Sequence, residues 1–89
     1  MKKAIWKYEV NEYNSIVVPR NSEILDIQLQ RDVPVIWFLV DLEEEENEER
    51  NFEVFWTGET IQYDMGTTRE YLKTLQRGNI VSHIFERIF

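Results

Sequence analysis

Apolar and polar residues alternate along most of this chain. In AIWKYEV (4–10), Trp6, Tyr8 and Val10 fall on one face, and Lys7 and Glu9 fall on the other beside Ile5. In ILDIQLQ (24–30), Leu25, Ile27 and Leu29 alternate with Asp26, Gln28 and Gln30. VPVIWFLVDL (33–42) is apolar on both faces, as befits a central strand or one covered by a partner subunit. NFEVFWT (51–57) sets Phe52, Val54 and Trp56 against Glu53, Phe55 and Thr57. A period of two, filled with β-branched and aromatic residues, predicts a strand in each stretch.

Turn chemistry separates the stretches. NEYN (11–14), PRNS (19–22) and RDVP (31–34) place Asn, Asp or Pro where turns use them, and Gly58 and Gly66 bracket TIQYDM (60–65). QRGNIV (76–81) holds a Gly-Asn pair that suits a two-residue hairpin loop. That loop predicts Arg77 opposite Ile80, Gln76 opposite Val81, Thr74 opposite His83, Leu72 opposite Phe85 and Glu70 opposite Arg87. Apolar residues at 80, 81, 84, 85, 88 and 89 also fit a short helix, but the loop and the β-branched content favour a strand. The expected fold is all-β: one small antiparallel sandwich or barrel of six to eight short strands over residues 1–89, with a long acidic hairpin loop at 41–51.

Charge enters the picture at that loop. The chain carries a net charge of −7, and residues 41–50 (DLEEEENEER) hold seven carboxylates and one arginine. The acidity is therefore local, and the rest of the chain is nearly neutral. Its simplest role is to keep a loop between two apolar strands in water. The other is a surface for a basic partner, formed by Glu43, Glu44, Glu45, Glu46, Glu48 and Glu49. A field of this sign repels nucleic acid. The stretch has Glu46 where a calcium loop needs glycine, so no metal site is expected there.

The remaining candidates for chemistry are sparse. His83 is the only histidine, and the chain has no cysteine. Its expected place is within a sheet opposite Thr74, not among metal ligands. WTGETI (56–61) and DMGTT (64–68) lack the lysine and glycine density of a phosphate-cradling loop, so they are expected to be turns. The aromatic residues are flanked by neutral or acidic neighbours, which suits a core or a subunit interface better than base stacking. No nucleophile–base set or metal-protease motif is present, so neither an enzyme nor a cofactor is expected. The longest apolar run, Val33 to Val40, is too short to span a bilayer. Lys7 and Glu9 interrupt any signal-peptide core, and a cytoplasmic setting is expected.

A run of segments then points to an origin: IWKYEV, the Ile16–Pro19 stretch, ILDIQLQ, WFLVD at 37–41, Arg50 and Phe52, TG at 57–58, YLKTLQ at 71–76 and HIFE at 83–86. In this order they resemble a family of small tailed-bacteriophage proteins. Glu59 stands where that pattern tends to have a histidine after TG, and the RIF ending runs past its usual finish. The resemblance implies a phage origin, and it implies no particular mechanism.

Together these features set the functional expectation. The chain is expected to be a non-enzymatic phage accessory protein. It would bind a host or anti-phage defence protein in the cytoplasm of the infected bacterium and inhibit it, using the acidic residues. Trp37 and Phe38 are expected to serve a homo-oligomer interface. A decoration or connector subunit of the virion is the alternative. A further one is an oligomeric sponge for a signalling nucleotide, which needs Arg20, Arg31, Arg69 or Arg77 to converge.

Overall fold

The computed structural model describes residues 2–11, 13–62 and 66–88. Among these the chain forms β1 (Lys3–Glu9), β2 (Tyr13–Pro19), β3 (Glu23–Gln30), β4 (Val33–Asp41), β5 (Asn47–Trp56), β6 (Thr68–Arg77) and β7 (Ile80–Ile88). Two antiparallel sheets result, with orders β1-β4-β3 and β2-β5-β7-β6. They stack as an all-β sandwich, and neither closes into a barrel. The C-terminal stretch is strand, as the hairpin chemistry predicts.

The core lies between the sheets. Ile36, Phe38 and Val40 of β4 face Phe52 and Val54 of β5 and Ile84 of β7, with Ile16 and Val18 from β2 and Ile27 from β3. Phe38 sits at the centre, edge-on to Tyr8 at 5.7 Å and to Phe52 at 6.1 Å, geometry that aromatic quadrupoles favour. The molecule is flat, measuring 43 × 35 × 15 Å. Its radius of gyration of 13.9 Å exceeds the roughly 12 Å usual for this length, so much of the surface lies on two broad faces.

Two hairpins follow from their turns. Arg31 and Asp32 both take positive φ (51° and 65°) between β3 and β4, as a type I′ turn requires. Gly78 alone takes positive φ (57°) between β6 and β7, which matches a type II′ turn with glycine first. Arg77–Ile80, Gln76–Val81 and Thr74–His83 pair as the loop predicts. Beyond Thr74 the register shifts by one at Leu72, so Tyr71 faces Phe85, Glu70 faces Glu86 and Arg69 faces Arg87. The expected Leu72–Phe85 and Glu70–Arg87 pairs do not form. A second bulge lies at Leu25 in β3, which leaves Leu25 45% exposed instead of inward beside Ile27.

The acidic segment also differs from expectation. It is not a hairpin loop: β4 and β5 lie in different sheets, joined by residues 42–46. Asp41 ends β4, and residues 47–50 already belong to β5, paired with β2. β5 and β6 flank β7 and run parallel, so the connection from β5 to β6 must return along the sheet. It opens on the expected turn at WTGETI, where Glu59 N donates to the Trp56 carbonyl (3.0 Å). Asp64 and Met65 of the expected DMGTT turn, and Glu12 of NEYN, lie outside the described residues. Arg69 donates to the Gln62 carbonyl, Arg87 to the Thr67 hydroxyl, and Thr57 meets His83, which pins both ends of the connection to the outer face.

Candidate functional site

The six glutamates do not form one surface. Glu43, Glu44, Glu45 and Glu46 occupy the crossing between the sheets, where Glu46 pairs with Arg20 and accepts a backbone bond from Arg20 N. Asp41 Oδ1 accepts from Glu43 N (2.9 Å), and Glu44 Oε1 accepts from Glu46 N (3.0 Å), which shapes the crossing as successive carboxylate turns. Glu48 and Glu49 alternate along β5. Glu48 accepts from Asn21 N (3.1 Å), and the Glu49 carboxylate accepts from the Ser15 hydroxyl on the other face. Part of the acidic run is therefore structural, since it ties β5 and the crossing to β2 and its following turn.

The outward face of the three-stranded sheet ends at this crossing. Period two sends Val35, Trp37, Leu39 and Asp41 of β4 outward, because Ile36, Phe38 and Val40 are fully buried on the core side. Phe38 therefore has no surface to offer a second copy, contrary to its expected interface role, and only Trp37 of that pair reaches outward. Register sets Ile5 and Glu23 either side of Leu39, and Lys7 and Asp26 either side of Trp37. Near the hairpin end this face is sealed: Val35 is 2% exposed between Glu9 and Gln28, and Lys7 Nζ donates to Gln30 Oε1 (3.0 Å). Near the crossing it is bare. Ile5 is 63% exposed, Leu25 45% and Leu42 48%, around half-buried Trp37 and Leu39. Glu23, Asp41 and the crossing glutamates border this strip, with Lys3 opposite Asp41.

Sequence reasoning found Trp37 through the double-sided apolar strand. It missed Ile5, which sits among charged residues, and Leu25, which a straight strand would have buried.

A polar groove of about 490 Å³ opens between β3 and β6, lined by Asp26, Arg50, Glu70, Tyr71, Lys73 and Glu86 among others. At its base Arg50 donates to both Glu86 oxygens (2.7 and 2.8 Å) and to the Ser22 carbonyl (2.7 Å). Its guanidinium lies over Phe38 at 5.3 Å. These bonds to Glu86 raise the Arg50 pKa above its ordinary value, so the cation is locked in. At the mouth Lys73 Nζ donates to Asp26 Oδ1 (2.9 Å), joining the two sheet edges. That bond, with others from Gln28 and Ile27 N, holds the Asp26 carboxyl below its ordinary range. Four of the groove's charges are thus spent on one another, and Glu70 adds a carboxylate opposite Glu86.

His83 stands where the hairpin register puts it. Its Nδ1 lies 3.0 Å from the Thr74 hydroxyl and its Nε2 2.8 Å from that of Thr57. Both ring nitrogens are occupied by hydroxyls, an arrangement that suits a structural link. Among the described residues no group of His, Asp and Glu is placed to hold a metal. The arginines do not converge within one chain: Arg20 pairs with Glu46, Arg69 with Glu53 and Arg77 with Asp32, and Arg31 lies in the β3–β4 turn. No helix among the described residues is long and apolar enough to cross a membrane.

The chain is thus a small two-sheet antiparallel β-sandwich, stapled inside by a guanidinium–carboxylate pair. It belongs to the family described as a domain of unknown function (DUF7352), whose model matches residues 1–88. No curated protein and no solved structure matches it.

Proposed function

We propose that this chain is a non-enzymatic binding protein that grips a partner protein with the bare end of its three-stranded sheet. The observation that carries this reading is the strip of Ile5, Leu25, Trp37 and Leu39 running into the acidic crossing. Half-exposed apolar side chains beside concentrated carboxylates match a partner with an apolar centre and a basic rim. The resemblance to phage proteins supplies the setting, an infected bacterium. A host or anti-phage defence protein is then the partner, and inhibition by occlusion is the mechanism. The apolar strip supplies the contact area, and the glutamates supply orientation and association rate.

The test is capture of a partner from infected-cell lysate by the tagged protein, repeated with two variants. One replaces Glu43, Glu44 and Glu45 together by Gln, and the other is Ile5→Lys. A single host protein retained by the wild type, weakened by moderate salt and lost with both variants supports the reading. The salt effect is expected because exposed charges are screened over about 8–10 Å. Retention unchanged in both variants, or recovery of virion components alone, overturns it.

A further inference from the structure

The two sheets have four edges, and they are not equally protected. On one side β3 and β6 are both edge strands, each broken by a bulge, at Leu25 and at Leu72. The Lys73–Asp26 bridge crosses between them just beyond both bulges. Bulges and inter-sheet charges block the addition of another strand. β1 is straight but guarded by Lys3, Lys7 and Glu9. β2 has neither a bulge nor a charge, and its one guard is Pro19 at its last position. Its seven residues, YNSIVVP, carry no charge and pair with β5 without a register shift.

The backbone of β2 is also poised for pairing. Arg20 N donates to Glu46 O (2.9 Å), so the even-numbered residues of β2 direct their backbone groups toward β5. The odd-numbered residues then direct theirs to the open edge. Pro19 falls in that set, where its missing N–H costs no bond within the sheet. Ser15 and Val17 offer outward N–H and C=O groups, and Val17 is 58% exposed.

We propose that β2 is a dimerisation strand. Two copies pair their β2 strands antiparallel about a two-fold axis near Ile16, which joins two four-stranded sheets into one of eight. In that register Ser15 of each copy exchanges both backbone bonds with Val17 of the other. A two-fold brings each residue close to its own copy, so any charge in the middle of the strand would oppose the pairing. β2 has none, so the two-fold register that a second copy of the chain adopts meets no like-charge repulsion. The interface lies apart from the partner-binding strip and does not depend on it.

Sedimentation equilibrium from about 1 to about 100 µM tests this against the micromolar affinities that a modest interface gives. The wild type is expected to approach twice its 10.8 kDa chain mass as the concentration rises through this range. Val17→Lys places two like charges beside the axis and is expected to weaken the dimer by about tenfold or more, with an unchanged circular dichroism spectrum. Val17→Thr keeps the shape without the charge and should leave the dimer intact, which separates the pairing from any folding defect. A wild type that stays monomeric throughout overturns the proposal. So does a dimer that Ile5→Lys disrupts and Val17→Lys does not, since that places the contact on the sheet face.

Discussion

Arg50 offers the sharpest test of how this fold is held together. Its side chain is 18% exposed and that of Glu86 10%, with two bonds between them and a third to the Ser22 carbonyl. Replacing Arg50 with Met keeps the stem over Phe38 and Phe52 but strands the Glu86 carboxylate in the interior. Breaking a buried pair this way costs about 3–5 kcal/mol. A chain of this length has roughly 4–13 kcal/mol in total, so the single variant should lose a large share of its stability. Replacing both residues, as Arg50→Met with Glu86→Leu, removes both charges together. Only the Ser22 carbonyl then loses its partner, a cost of about 1–3 kcal/mol. Urea unfolding at pH 7, followed by tryptophan fluorescence, gives the double-mutant cycle. The coupling is expected to exceed about 2 kcal/mol. A coupling below about 0.5 kcal/mol, the level of an exposed pair, would mean that water reaches the site and would refute the buried-pair account.

Three further outcomes follow from single residues. Asp26 has its pKa lowered in the folded chain, so its bridge to Lys73 stabilises above the ordinary carboxylate range and fails as pH falls through the depressed value. The stability gap between wild type and Asp26→Asn should therefore be present at neutral pH and shrink below about pH 4; a gap independent of pH refutes it. Gly78→Ala meets no atom within 4 Å, so only its φ of 57° resists the change. The cost should be about 1–2 kcal/mol in a thermal melt, and a neutral substitution would refute the turn assignment. Leu25→Lys should change stability by no more than about 0.5 kcal/mol, whereas Ile24→Lys, at a partly buried side chain, should lose about 1–2 kcal/mol of apolar burial. The reverse order in urea unfolding would restore the straight strand.

β1, β3 and β5 were legible because each had a run of alternating residues long enough to set its period, and β4 because it is apolar on both faces. β2 was not, because its seven residues run from one stretch that reads as a turn into the next. The Gly-Asn hairpin was legible for an equally local reason, and so was the place of His83 opposite Thr74. Sheet membership was not. Whether Leu42 to Glu46 turns back in the same sheet or crosses to the other depends on which strands β4 and β5 meet, and both are apolar enough to pair with many partners. The acidic run looked like loop throughout because charge suits loops. Yet Glu48 and Glu49 lie on a strand at the end of a sheet, where a carboxylate can reach Asn21 N or the Ser15 hydroxyl without leaving water. The candidate site was half legible: the two-sided β4 announced Trp37 but equally suggested Phe38, and only the sheet's sidedness separates them.

The two bulges show what was missed and why it could have been read. On a straight strand, residues three apart face opposite ways. Ile24 and Ile27 are three apart in β3, and both pack on the core; Leu72 and Leu75 are three apart in β6 and do the same. Each pair can share a face only if one extra residue is inserted between them, which is what a bulge does. The insertion reverses the phase of β6, so Tyr71 and Arg69 turn outward and Glu70 turns toward the groove. Like charges then face like charges across β6 and β7, an arrangement that a simple register disfavours. It is tolerated because β5, on the other side of β7, brings the opposite charge to each face: Arg50 to Glu86 on the inside, and Glu53 to Arg69 and Arg87 on the outside. Two apolar spacings thus set both bulges, and the bulges move the charges. The same pair of bulges closes one side of the sandwich to added strands, which leaves the uncharged β2 as the edge open to pairing.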